Sequence, residues 1–189
     1  MFSLKKKYFL IIENSKDINL KNIKKRNKFV IIYRNQKNTE KKDDLVRFRI
    51  KCKLKSIDFY VANNLKLANL LRSDGIYLSA YNKSFKQLSI KKSNFNVIGS
   101  AHTQKEIYMK TNQGCKYIIF SKLFLVNYDK NAKTLGIIKF NNLLKENNNL
   151  VPLGGININN LNKLNIINSK GFAIMSEIKK KPTIIRRLF

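Results

Sequence analysis

Residues 95–121, FNVIGSAHTQKEIYMKTNQGCKYIIFS, decide the fold. Phe95–Ile98 and Tyr117–Phe120 are short, nearly continuous apolar runs of the kind that form strands buried on both faces, the mark of a parallel sheet. Between them Thr103-Gln104-Lys105-Glu106 fits a capping box, in which a threonine hydroxyl and a glutamate carboxylate satisfy each other's backbone donors at a helix start. The unit is therefore strand, helix, strand. Six further runs repeat the first element: Tyr8–Ile12, Phe29–Tyr33, Ile57–Val61, Gly75–Leu78, Leu150–Leu153 and Phe172–Met175. Residues 64–71 (NLKLANLL) space their apolar groups at helical intervals, Asn157 and Asn159 can cap the next-to-last helix, and Ser176 can cap the last.

Eight strand–helix alternations predict an α/β protein, a (β/α)8 TIM barrel formed by residues 1–189 as a single domain. An open doubly wound sheet would leave some of the eight runs without a place. The chain has 189 residues, slightly below the roughly 200–250 usual for the barrel, so its helices are expected to be short or missing in places.

Composition limits the function classes. Lys+Arg 39 against Asp+Glu 11 gives a net charge of +28, and 43% of residues are apolar, enough for a core and too many for a wholly disordered chain. Such a charge attracts polyanions. Yet Lys, Asn, Ile and Phe are all abundant, and all have codons rich in A and T, so genome composition is the favoured explanation. The basic residues are spread along the chain without a tail or stripe, and no specific nucleic-acid partner is expected. Cys52 and Cys115 stand far apart with no Cys/His cluster, which argues against a disulfide scaffold or a structural zinc site. The apolar run Tyr8–Ile12 is cut off by Glu13, too short for a signal peptide, and no stretch is long enough to span a membrane; a cytoplasmic protein is expected.

In a barrel the working face lies at the carboxyl ends of the strands. Arg34, Asn35 and Gln36 follow strand two, Ala62 and Asn63 strand three, Ser79 and Asn82 strand four. Ser100 and His102 follow strand five, Ser121 and Lys122 strand six, Gly154 and Gly155 strand seven, and Ser176 strand eight. Glycines let a ligand approach bare backbone, and loops after strands seven and eight with a helix start make the recurrent phosphate cradle of this fold. His102 is the chain's one histidine, and imidazoles exchange protons near neutral pH. The planar fork of Arg34 can hold a phosphate. Residues 122–133 form the longest connection, with a polar second half that suits either a lid or a surface loop.

The segments IGSAHTQKE (98–106), YIIFSKLF (117–124), TLGIIKF (134–140), VPLGGIN (151–157) and GFAIMSEI (171–178) follow one another in an order that resembles the thiamine phosphate synthase/TenI superfamily. YVANNLKLANLLRSDGIYL (60–78) resembles its third and fourth strand region, and Phe29–Gln36 aligns more weakly. The resemblance implies a barrel that binds a thiazole phosphate, with Gly154, Gly155 and Ser176 on the phosphate, and Arg34, Asn63, Ser100 and Lys122 as substrate or diphosphate contacts. For synthase members it implies Mg2+, with metal-binding positions at Asn63 and Asn82. Those positions are aspartates in the synthase pattern, its Asn-Asp pair appears here as Ala62-Asn63, and its strand-two lysine is replaced at Gln36. The threonine and lysine of its post-strand-six loop appear as Val126 and roughly Asp129, and Lys122 and Lys130 are the basic residues nearby. A hard dication prefers carboxylates. His102 stands where TenI-type tautomerases, which need no metal, carry a histidine.

The resemblance thus implies a thiamine-biosynthesis protein that binds a thiazole phosphate, with tautomerase-like proton transfer by His102 favoured. The alternatives are a synthase joining hydroxymethylpyrimidine diphosphate to thiazole phosphate, with Mg2+ as cofactor, and a non-catalytic ligand-binding relative. An oligomer is compatible with any of these readings.

Overall fold

The computed structural model describes residues 6–23, 27–35, 40–89, 95–126, 133–180 and 184–185. All eight expected runs are strands: β1 (Lys7–Ile12), β2 (Phe29–Tyr33), β3 (Asp58–Ala62), β4 (Gly75–Leu78), β5 (Asn96–Ala101), β6 (Tyr117–Ser121), β7 (Leu150–Leu153) and β8 (Gly171–Ile174). Seven parallel ladders give the order β7-β6-β5-β4-β3-β2-β1-β8. β7 and β8 lie against each other at the seam, so the sheet curls into a nearly closed barrel. An open doubly wound sheet is excluded by the β1–β8 pairing of the first strand with the last.

Side chains alternate between two cores because successive Cβ atoms of a strand point to opposite faces. Phe9, Ile11, Val30, Ile32, Tyr60, Tyr77, Ile98, Ile119, Val151 and Ala173 fill the barrel. Their strand neighbours, among them Leu10, Ile31, Phe59, Ile76, Ile118 and Phe172, join the larger core under the helices. Burial on both faces is why the strands read as unbroken apolar runs.

The helices are α1 (Lys42–Leu54), α2 (Leu65–Leu70), α3 (Gln104–Asn112), α4 (Gly136–Glu146) and α5 (Ser176–Lys180). Among the described residues, 3-10 turns stand in place of an α-helix after β1, β4 and β7, which helps the fold fit into this length. The Asn64 side chain caps α2, and Asn157 caps the 3-10 segment 158–166 in a capping box with Asn160. Asn159 donates its N–H to Asn157, and Ser176 is the first residue of α5. Among the described residues no helix is long and apolar enough to cross a membrane.

Candidate active site

The alternation that fills the barrel also selects what lines its mouth. Two residues beyond the inward-facing Ile11, Ile32, Tyr77 and Ile98 come Glu13, Arg34, Ser79 and Ser100, with His102 two further on. All of them line one cavity of about 480 Å3 at the carboxyl ends of the strands. Ser121, Lys122, Gly154, Gly155, Ser176 and Lys179 complete its polar wall, and Tyr77, Tyr81, Val126, Leu153 and Met175 contribute apolar surface. His102 and the Gly-Gly/Ser176 corner, 52 and more residues apart in the chain, thus share one cavity.

His102 is held from two sides. Its backbone N–H donates to Glu106 Oε2 at 2.6 Å, and the Thr103 N–H donates to the same oxygen at 3.2 Å. The Glu106 N–H returns a bond to Thr103 Oγ1, completing the expected capping box of α3. The ring Nδ1 lies 2.8 Å from Ser121 Oγ. With Nδ1–H donating to the Ser121 oxygen, Nε2 of the neutral ring is a base. Once Nε2 has taken up a proton the ring is an imidazolium, still donating from Nδ1, and is the acid that gives the proton back. The same pair therefore supports proton removal and proton return.

Gly154 and Gly155 have positive φ angles of 101° and 68°. A Cβ on Gly155 would lie 2.7 Å from the Phe124 carbonyl carbon and closer still to the Leu125 oxygen, while one on Gly154 would lie 3.1 Å from Lys122 Cα. The glycines let the segment after β6 cross close over the turn after β7. That crossing is pinned by Leu123 N–H to Leu153 O (2.9 Å) and Phe124 N–H to Gly154 O (3.0 Å). The base of the long loop is closed by Leu135 N–H to Lys122 O and Gly136 N–H to Leu123 O, both 3.0 Å. Residues 127–132 of that loop, with Asp129 and Lys130, lie outside the described residues, as does Gln36.

Charge in the cavity is mostly positive: Arg34, Lys122 and Lys179 against Glu13. Lys179 Nζ donates to Glu13 Oε2 at 2.5 Å, and this bond holds the ammonium above its usual value. Tyr77 is 2% exposed; burial raises its phenol pKa, and a hydrogen bond to Ser100 and the nearby Arg34 pull it back down. Glu13, Tyr77, Tyr81 and Lys179 were not among the residues expected from the sequence. Counting in twos from the apolar core of β1 and β4 finds Glu13 and Tyr77. Tyr81 and Lys179 lie beyond strand ends, where that count has no phase.

Asn63 and Asn82 sit apart from this cavity, beside a neighbouring groove with Leu65, Lys66 and Ser84. Asn63 Oδ1 accepts from the Ser79 N–H (3.0 Å), the Asn82 amide (2.9 Å) and Ser79 Oγ (3.2 Å), and Asn82 Oδ1 accepts from the Ser84 N–H (2.9 Å). Both oxygens are committed to N–H and O–H donors, and both side chains are neutral. No group of three or more His, Cys, Asp or Glu able to hold a metal occurs among the described residues. This donor set does not fit a protein-held Mg2+, which takes carboxylates.

Fold and site together define a (β/α)8 barrel with a cavity at its strand-end rim that His102, Lys122, Ser176 and Lys179 help to line. A model of the family described as "Thiamine monophosphate synthase" matches residues 10–178, and the chain belongs to that family. It is 29% identical over 129 residues to a thiamine-phosphate synthase of Prochlorococcus marinus, covering 67% of this chain and 37% of that protein. To one of Clostridioides difficile it is 25% identical over 134 residues, covering 70% and 64%. The matches thus span between about a third and two thirds of these curated relatives' lengths. Among solved structures, a thiamine phosphate pyrophosphorylase from Pyrococcus furiosus superposes with a TM-score of 0.72 at 15% identity, covering 98% of each chain. Phosphoribosyl anthranilate isomerase from Thermotoga maritima gives 0.66 at 13% identity, covering 97% and 100%. Both show the same fold.

Proposed function

We propose that this chain acts in thiamine biosynthesis by binding a thiazole phosphate in the rim cavity. In this reading the phosphate sits at Gly154, Gly155 and Ser176, with Lys179 beside it, and His102 works on the ring as acid and base. One observation carries the reading: His102, paired with Ser121, lines the same cavity as the Gly-Gly/Ser176 corner. Arg34, Ser100 and Lys122 are the further ligand contacts. The tautomerase-like reaction asks little else of the protein. A proton leaves the saturated ring carbon of a non-aromatic thiazole carboxylate phosphate for the imidazole and is returned to the exocyclic alkylidene carbon. The exocyclic double bond thereby moves into the ring and leaves the aromatic thiazole. Positioned general acid–base catalysis of this kind is worth roughly 10²–10⁴-fold.

A second reading is favoured by the relatives, which are named thiamine-phosphate synthases. In it the cavity also takes a pyrimidine diphosphate, and the basic side chains Arg34 and Lys122 neutralise the departing diphosphate. The neutral Asn63–Ser79–Asn82 cluster weighs against it, because the carboxylates that would share this work with a metal are missing.

The deciding experiment assays the purified protein on a thiazole carboxylate phosphate, and separately on thiazole phosphate with the pyrimidine diphosphate and Mg2+. The first reading expects metal-independent aromatisation that falls at least 100-fold in His102→Ala, with phosphate binding kept. Mg2+-dependent thiamine phosphate formation with no aromatisation would establish the second and overturn the first.

A further inference from the structure

Lys110 is the least expected residue of the interior. It lies on α3 in a chain with 39 basic residues, yet it is 0% exposed, while most other lysines reach solvent. Lys is almost never fully buried unless paired, and among the described residues no carboxylate bonds it. Its ammonium donates to the carbonyl oxygens of Ser79 (2.7 Å) and Asn82 (2.8 Å) and to Gln113 Oε1 (2.9 Å). Three donors meet three acceptors. Gln113, also 0% exposed, uses its amide to donate to the carbonyls of Asn82 (3.0 Å) and Ser84 (2.8 Å).

All of these carbonyls belong to the loop after β4. That loop presents Ser79, Ala80 and Tyr81 to the rim cavity and carries Asn82 into the amide cluster with Asn63. The methylenes of Lys110 pass beside Gly99, where a Cβ would lie 2.9 Å from the Lys110 Cδ, so β5 leaves the stem room to reach the loop. The cluster of Asn63, Ser79 and Asn82 fastens the loop from the strand side, and the ammonium fastens it from the helix side.

We infer that Lys110 is a positioning residue: a built-in cation, reached from α3, that gathers the backbone carbonyls of the post-β4 loop and so sets the Ser79–Tyr81 wall of the cavity without a divalent ion. It touches no ligand, and its action runs through the loop. The inference goes beyond the choice between tautomerase and synthase, since it concerns how the cavity wall is built.

The test uses protein labelled with 3-fluorotyrosine, with the Tyr81 line assigned through Tyr81→Phe, and inorganic phosphate as the probe. In wild type, the Tyr81 line is expected to keep its position with 10 mM MgCl2 or with EDTA, and to shift saturably with phosphate. Lys110→Met keeps the stem and removes the charge. It is expected to move or broaden the Tyr81 line and to raise the half-saturating phosphate concentration about tenfold, the scale of lost charged hydrogen bonds. The C2–H proton line of His102, which is anchored on Ser121, is expected to stay in place. A purely structural lysine would lower the melting temperature and leave the Tyr81 line and its phosphate response within twofold of wild type; that result overturns the inference, as does a Mg2+-dependent shift of the line in wild type. Should Lys110→Met fail to fold, Gln113→Leu cuts the two amide bonds from the same helix to Asn82 and Ser84 and is judged by the same Tyr81 criteria. Absence of any phosphate shift in wild type would count against the proposed function, while the Tyr81 line position in the variant still decides the role of Lys110.

Discussion

At the scale of single residues, Gly155 shows how one site can serve packing and function together. Read from sequence, the Gly-Gly pair offers bare backbone to a ligand; the structure adds that Gly155 leaves room for the Phe124–Leu125 backbone crossing above it. Gly155→Ala would meet backbone atoms that cannot swing aside and would hold alanine at φ near 68°. It is expected to destabilise the protein by about 1–3 kcal/mol, measured as a lower urea midpoint with an unchanged m-value. A midpoint equal to wild type would mean that the crossing is looser than described. His102 and Ser121 were both visible in the sequence as residues that follow strands. Their 2.8 Å contact was not, because it depends on how β5 and β6 are staggered, which no local pattern encodes.

At the scale of elements, the eight strands could be read almost to the residue, because burial on both faces writes an unbroken apolar run into each one. The helices were less legible. α3 announced itself through Thr103 and Glu106, whereas α1 begins at Lys42 with no side-chain cap and carries polar residues around most of its surface. What fixes α1 is tertiary. Arg49, buried on α1, donates to Asp74 Oδ1 (2.9 Å) and to the Arg72 carbonyl (3.1 Å), and Asp74 Oδ2 accepts the Phe59 N–H of β3 at 2.7 Å. One aspartate thus ties a helix, a strand and the turn before β4. Asp74→Ala leaves the guanidinium and a strand N–H short of a partner and is expected to cost about 1.5–3 kcal/mol, the range for hydrogen bonds to charged groups. Chemical denaturation checks this, and a loss under 0.5 kcal/mol would show that the tie is dispensable. Lys110 was illegible for a related reason: among so many lysines nothing local distinguishes the one that turns inward.

For the whole molecule, interior titratable groups make stability depend on pH. Burial pushes the thiols of Cys52 and Cys115 from about 9 up to about 12, and the Tyr33 phenol from about 10 up to about 12; Tyr8, Tyr60 and Tyr77 are raised in the same direction. Each of these groups keeps its proton in the fold at a pH where the unfolded chain has lost it. The folded state therefore binds more protons across roughly pH 9–12, and stability falls as pH rises through that window. Lys6 and Lys110, lowered by burial, act in the opposite sense and are outnumbered six to two. Thermal melts are expected to show a falling midpoint above pH 9, with thiol reagents reaching the cysteines only as the fold opens. A melting temperature flat from pH 9 to 11, or rapid labelling of native thiols at pH 8, would contradict this.

Because the chain has one histidine, a single proton NMR line, His102 C2–H, reports on the proposed centre of the cavity. Titrating the wild type with a thiazole phosphate is predicted to move that line saturably, and Ser176→Asp, which places a negative charge in the opposite corner, is predicted to abolish the shift with the free-protein line unmoved. A line that ignores the ligand in the wild type, or that responds equally in Ser176→Asp, would contradict the placement of imidazole and phosphate corner on one ligand.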